Sequence, residues 1–407
     1  MKSRFSLLSV ATGLLPWAEA YVSLPMTKLL NYEKSGYTVS ITIGTPPQTV
    51  MAAIDTGSSD VFLSSYENPW GYFNPNISTT YTPLISLDPF VSRYGQGNQN
   101  GTYLADTISL GVTTEANLTM ALIPPPGMGG PPYNLLGLDF DDGEMRPQLA
   151  EIAANYTIPE SDLPTYPNFV TTLKNQGSIR KRAYSLYLNS LNARFGELLF
   201  GAIDTAKFVA PLKYVSMARS PVTGLHDVMM VPWVGLSMRT DKGTVHLPLP
   251  MRPNATFDSG TTVSYLPLAA ARQIAVETGA VERNVSGAIR YYLPCDAAMN
   301  FSLSYTFGHG KTTCASGGPR IEVPASELLL PLGANSDADV PDLPKFGGSK
   351  TCTLGIMGEE TYTPYVGYLL GDTFMRSAYL VYDLEEKKIG IAQAKLNVTE
   401  TEIVELC

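Results

Sequence analysis

The feature that most constrains this chain is an internal repeat. Ile54-Asp55-Thr56-Gly57-Ser58-Ser59-Asp60-Val61 recurs about 200 residues later as Phe257-Asp258-Ser259-Gly260-Thr261-Thr262-Val263-Ser264. A second echo lies downstream of each copy, Leu135-Leu136-Gly137 in the first and Leu369-Leu370-Gly371 in the second. By average composition, an Asp-[Ser/Thr]-Gly-[Ser/Thr] tetrapeptide should occur ~0.02 times in a chain this long. An ordinary Asp-Ser-Gly turn accounts for one copy, but turn chemistry does not reproduce the same context twice. The chain therefore reads as two related halves. Each has a buried strand that delivers an Asp into a Gly turn and, later, an apolar pair followed by Gly.

Composition supplies the fold class. The chain has 407 residues, with 35 Gly, 31 Pro and 23 Tyr, and only 16% of it is charged. That is a large core built from many short strands and tight turns, not a helical bundle, so the expected class is all-β with a few short helices. The net charge is −9, and no basic run exceeds Arg180-Lys181-Arg182, which reads as a solvated loop. This excludes nucleic acid and anionic membrane as expected partners.

The N-terminus reads as an export signal over residues 1–20. Met1-Lys2-Ser3-Arg4 is basic, Phe5 to Trp17 is apolar, and Ala18-Glu19-Ala20 is a small-x-small cleavage site. No later stretch has 18 consecutive apolar residues. The expected product is exported, with no membrane span. Eight Asn-x-Ser/Thr sequons agree with export, at Asn76, Asn100, Asn117, Asn155, Asn254, Asn284, Asn300 and Asn397. Four cysteines (Cys295, Cys314, Cys352 and Cys407) leave three pairings open. No Cys/His ligand cluster is present, and no metal or cofactor is expected.

Local patterns place the repeat. Tyr37 to Ile43 alternates polar and apolar, Gly44-Thr45-Pro46-Pro47 turns the chain, and Val50 to Ile54 is a buried strand ending at Asp55. Similar short strands are expected up to about residue 120. Helices are expected at Pro147 to Ala154, at Pro167 to Lys174 before Gly177, and at Leu268 to Glu277 before Gly279. The Pro/Gly-rich patch Pro124 to Pro132 reads as a loop.

The repeated turn has a chemical meaning. Gly57 and Gly260 permit close backbone approach, and Ser58 or Thr261 can hydrogen-bond the preceding carboxylate. If the halves pack about a pseudo-twofold axis, Asp55 and Asp258 meet. Two touching carboxyl groups share one proton over an acidic range, because the second negative charge is opposed by the first. The ionised member can take a proton from water while the protonated member hydrogen-bonds a peptide carbonyl. No G-x-S-x-G nucleophile turn is present to favour a serine hydrolase.

With these residues the chain resembles the pepsin family of aspartic proteases, and within it the yapsin-like and secreted fungal branch. The resemblance also rests on Gly44-Thr45-Pro46-Pro47-Gln48, Ala183-Tyr184-Ser185-Leu186-Tyr187-Leu188, Phe200-Gly201-Ala202-Ile203-Asp204-Thr205-Ala206-Lys207 and Leu370-Gly371-Asp372-Thr373-Phe374-Met375-Arg376-Ser377-Ala378-Tyr379. It covers nearly everything after the signal. It implies a bilobal acid-protease fold, with lobes at 21–205 and 206–407, and an acid endopeptidase of polypeptides that acts as a monomer without cofactor. Asp55 and Asp258 are then catalytic, supported by Thr56, Ser58 and Ser259. A β-hairpin flap closes on substrate, with Tyr94, Gly95 and Gln96 joining Gly57, Gly260 and Thr261 in binding it. The resemblance also implies a Cys295–Cys352 disulfide, and leaves Cys314 and Cys407 paired together or free.

The chain departs from that pattern in three ways. Phe62 stands where the family has a Trp that hydrogen-bonds the flap tyrosine, and Phe has no N–H to donate. Gln96, Asn98 and the Asn100 sequon alter the flap tip. Only sixteen residues, with Lys28 and Lys34 as the basic ones, separate Ala20 from Tyr37, so an exported form without a covering prosegment is expected. The rival expectation is a pepsin-fold binding protein or decoy that has lost hydrolysis. Loss of a catalytic Asp or its Gly would mark such a protein, and both turns are whole here.

Overall fold

The computed structural model describes residues 21–28, 36–94, 97–110, 113–125, 133–141, 166–222, 224–285, 287–297, 300–308, 318–332, 343–361, 363 and 365–407. The signal segment, the helix expected at Pro147 to Ala154, most of the Pro124 to Pro132 patch and Cys314 lie outside these residues. The fold is mainly β and bilobal.

Tyr37–Ile43 and Gln48–Asp55 form the expected antiparallel hairpin, in register from Thr38↔Ala53 to Ile43↔Gln48. Val39, Ile41, Ile43, Val50, Ala52 and Ile54 are buried. Fully burying an aliphatic side chain of this kind contributes ~1.5–3 kcal/mol, which is why the apolar positions fix the register. The two halves then repeat one device. Gln48–Asp55 pairs in parallel with Asn134–Gly137, ending at Asp55↔Gly137. Asn254–Phe257 pairs in parallel with Tyr368–Leu370, ending at Phe257↔Leu370.

A 14-stranded sheet carries strands of both halves. From one edge inward run Phe208–Ser216, Lys388–Ala394, Ala378–Asp383, Ala183–Tyr187, Phe195–Phe200 and Val22–Lys28. The largest core cluster is likewise shared, joining Ile54, Leu136 and Tyr184 to Phe257, Leu370 and Tyr382.

The strands before residue 120 are not all short. Gly97–Leu110 and Thr113–Ile123 span 14 and 11 residues and pair with each other. The polar run Gly97-Asn98-Gln99-Asn100-Gly101 hides the first of them, since a hairpin that leaves the sheet lacks the alternation of a half-buried strand.

Two helices match expectation. Phe169–Asn175 is capped by Asn168, whose Oδ1 accepts from the Thr171 N–H at 2.9 Å, and it buries Phe169, Val170 and Leu173. Leu268–Thr278 stops at Gly279, which takes the left-handed conformation at φ +70°. The four-residue helix Asp372–Met375 was not legible, because one turn inside a continuously buried run shows no helical period.

Cys295 and Cys352 are bonded across a sequence separation of 57 residues. The chain-entropy model makes such a link worth up to ~4 kcal/mol. Cys407 is free and exposed. The basic triplet is not a free loop: Arg180 pairs with Glu405 at 2.6 Å, Lys181 with Asp383 at 3.0 Å and Arg182 with Asp141 at 3.3 Å.

Candidate active site

Two apolar strands end in acids and deliver them to one place. The Gly57 N–H donates to Asp55 Oδ1 at 2.9 Å and Ser58 Oγ donates to Asp55 Oδ2 at 2.5 Å. In the second half the Gly260 N–H donates to Asp258 Oδ1 at 2.8 Å, and Thr261 Oγ1 donates to Asp258 Oδ2. The same atoms play the same parts in both turns.

Thr56 and Ser259 lock the turns together. The Thr56 N–H donates to Ser259 Oγ at 3.1 Å, and the Ser259 N–H donates to Thr56 Oγ1 at 3.0 Å. Each hydroxyl passes its own proton to the other half. Thr56 Oγ1 donates to the Phe257 carbonyl at 2.8 Å and Ser259 Oγ to the Ile54 carbonyl at 3.0 Å. These four buried bonds obey a local twofold relation. A hydroxyl suits each position, since its single oxygen accepts one of these bonds and donates the other.

The glycines set how close the acids come. A Cβ at Gly57 would lie 2.6 Å from Asp258 Oδ1, and one at Gly260 would lie 2.6 Å from Asp55 Oδ1. Each carboxyl thus rests on the other turn's glycine. A hydrogen bond joins the two carboxyl groups, both of which are buried. Burial, followed by the Asp55 charge, raises the pKa of Asp258. Hydrogen bonds from Thr261 and the Gly260 N–H oppose the rise without cancelling it.

The second echo supports both turns from below. A Cβ at Gly137 would lie 2.5 Å from the Asp60 carbonyl oxygen, and one at Gly371 would lie 2.2 Å from that of Thr261. Only glycine lets these strands pass so close to the turns.

At the segment expected to form the flap, Phe90–Tyr94 pairs antiparallel with Gly97–Leu110, from Phe90↔Gly101 to Tyr94↔Gly97. Gly95 and Gln96 lie outside the described residues. Under the hairpin sits a separate aromatic core of Phe62, Phe90, Tyr103, Ala121, Ile123 and Leu135. Phe62 is fully buried, 5.9 Å from the Tyr133 ring, which in turn lies 5.9 Å from Trp70. Burial, then the Asp55 charge, pushes the Tyr133 phenol up to about 12. Sequence reasoning missed Tyr133 and Asp139. The available signal was the Asp inside the otherwise apolar run Leu135-Leu136-Gly137-Leu138-Asp139-Phe140.

The family described as eukaryotic aspartyl protease matches residues 36–394. A probable aspartic-type endopeptidase OPSB of Arthroderma benhamiae is 32% identical over 390 residues, covering 93% of this chain and 72% of that one. Candidapepsin-3 of Candida albicans is 31% identical over 384 residues, covering 90% and 81%. The crystal structure of an aspartic proteinase from Irpex lacteus superposes with a TM-score of 0.68 at 21% identity, covering 94% of this chain and all of that one.

Proposed function

The chain belongs to the eukaryotic aspartyl protease family, and from that premise we propose that Asp55 and Asp258 are its catalytic dyad. The activity is that of an aspartic-type endopeptidase acting on polypeptides. The single observation that supports the assignment of residues is the reciprocal packing of each carboxyl on the other turn's glycine. It forces two acids into contact, and two acids in contact hold one proton.

That proton rests on Asp258. Asp55 takes a proton from a water molecule as the water oxygen bonds to the peptide carbonyl carbon. Asp258 gives its proton to the carbonyl oxygen, which yields a neutral gem-diol. Asp55 then passes its proton to the amide nitrogen as the C–N bond breaks, and Asp258 recovers one from a diol hydroxyl. Gly57, Gly260 and Thr261 line the floor for substrate, and the hairpin that begins with Phe90–Tyr94 closes over it. Both acids come from one chain, so a monomer is sufficient for catalysis. The lobes divide at 21–205 and 206–407.

The protein is exported and glycosylated in this reading. Asn76, Asn100, Asn117, Asn284, Asn300 and Asn397 are exposed, which supports it, and Asn155 lies outside the described residues. Among the described residues no helix is long and apolar enough to cross a membrane. One relative is described as a secreted aspartic protease.

The decisive assay is cleavage of a denatured protein at pH 3 to 5, with and without a statine-type transition-state analogue. The expected result is cleavage that the analogue abolishes. A folded protein that binds the analogue but cleaves nothing would instead be a binding protein.

A further inference from the structure

Directly beneath the first catalytic turn lies a third buried acid, Asp139. Its N–H donates to the Ser58 carbonyl at 3.0 Å, and the Leu138 N–H donates to the carbonyls of Asp55 and Ser58 at 2.9 and 2.8 Å. Ser59 Oγ donates to the next carbonyl, that of Phe140, at 2.7 Å. The backbone around Asp139 is therefore the seat of the Asp55 turn. Its side chain reaches across the chain's two halves: the carboxyl accepts the Phe140 N–H at 2.7 Å and a second backbone N–H from Met229.

We propose that Asp139 is a positioning residue that ties the Asp55 turn to the second half of the chain, and that the tie holds only while its carboxyl is uncharged. The proposal rests on the assignment of Asp55 to the dyad. The groups facing Asp139 explain the condition. Asp55 and Asp227 are both acids, and the phenols of Tyr184 and Tyr382 face it from the central sheet. Neither pair supplies a positive charge. The two N–H donors favour the carboxylate, but full burial outweighs them, with Asp55 and Asp227 adding to it. The carboxyl is consequently held well above the ordinary range.

The sign follows from linkage. The folded form keeps a proton that the unfolded chain releases near its ordinary value. Stability from this group is complete in acid and is lost as pH rises through the raised pKa. An ionised Asp139 puts a second charge under Asp55 and drives the seam open. The device confines a well-ordered dyad to acid.

The test uses the full chain. Wild type, Asp139→Asn, Asp139→Ala and Asp258→Asn are incubated from pH 4 to 8, returned to pH 4 and assayed on a denatured protein, with melting followed at each pH. Asn keeps one acceptor and one donor, as the neutral acid does, and cannot ionise. The expected result is near-normal turnover of Asp139→Asn at pH 4, with its loss of activity displaced upward by about one pH unit or more. Asp139→Ala should melt lower in acid yet also lose the pH dependence. If both variants lose activity and melt at the wild-type pH, the proposal is overturned, and the Ala variant decides the matter should Asn not fold. If Asp258→Asn turns over normally, the dyad assignment fails instead, a separate outcome.

Discussion

The two Asp-bearing turns are duplicates on the side where their carboxyl groups meet and unlike beneath it. Above, Gly57 with Ser58 and Gly260 with Thr261 hold their acids by the same pair of bonds. Below the first turn lies Asp139, among acids and phenols. Below the second lies Asp372, whose N–H donates to the Thr261 carbonyl at 2.9 Å and which is also buried. Burial raises Asp372 well above its ordinary value too; the charges of Arg376 and Lys28 oppose the rise without cancelling it. Arg376 is locked by Glu327, its Nε donating to Oε2 at 2.7 Å, and Glu327 also accepts the Leu191 N–H at 2.8 Å. Both acids are thus held well above the ordinary carboxylate range, but only the second has cations in its surroundings, the nearer of them paired to Glu327. Duplication preserves the setting of the two facing carboxyl groups, while the surroundings of the buried acid beneath differ between the halves.

The comparison can be broken from above most severely. Asp55→Asn and Asp258→Asn should each reduce turnover by about three to four orders of magnitude without unfolding the protein, because each removes a proton carrier. Parallel kinetics and circular dichroism check this, and unequal losses would show that the symmetry is only geometric.

Next comes the ionic base. Arg376→Met leaves Glu327 buried without its cation, and should destabilise the fold by ~3–5 kcal/mol. Urea unfolding measures it. Asp139→Asn in acid should lose far less, and equal losses would erase the distinction drawn between the two halves.

Gly57→Ala and Gly260→Ala each push a methyl to 2.6 Å from the opposing carboxyl. Overpacking of ~1–3 kcal/mol at the reacting groups corresponds to about a tenfold to hundredfold loss of kcat. The two variants should match, which a side-by-side assay decides.

Thr261→Val removes a donor that stabilises ionised Asp258. The pKa of Asp258 then rises further, and the high-pH limb of the rate profile should move up by about one unit. A downward shift would contradict the placement of the shared proton.

The smallest effect belongs to the proposed flap hairpin of the first half. Phe62→Trp restores an N–H to the buried wall under the hairpin. One neutral hydrogen bond of ~0.5–1.5 kcal/mol predicts a few-fold to tenfold gain in kcat/KM. An unchanged value would mean that Tyr133 and Trp70 already position the flap's support.

Much of this molecule was legible before any coordinates, and the reason is periodicity and repetition. The strand before Asp55, both capped helices and the matched turns are local events. Alternation, capping residues and Gly in fixed places announce them. Ser58 and Thr261 could be assigned to their acids because a hydroxyl three residues on reaches the carboxylate within one turn. The Cys295–Cys352 link was open from the residues alone and came from family resemblance. What the tertiary structure alone decided is who meets whom across 200 residues. The exchange between Thr56 and Ser259, the seat that Asp139 makes under Ser58 with its reach to Met229, and the capture of Arg376 by Glu327 join segments with no shared period. Burial is a property of the assembled core: the apolar run around Asp139 marks an unusual acid, but no local pattern could show that Asp372 would be buried as well and that only Asp372 would find cations there.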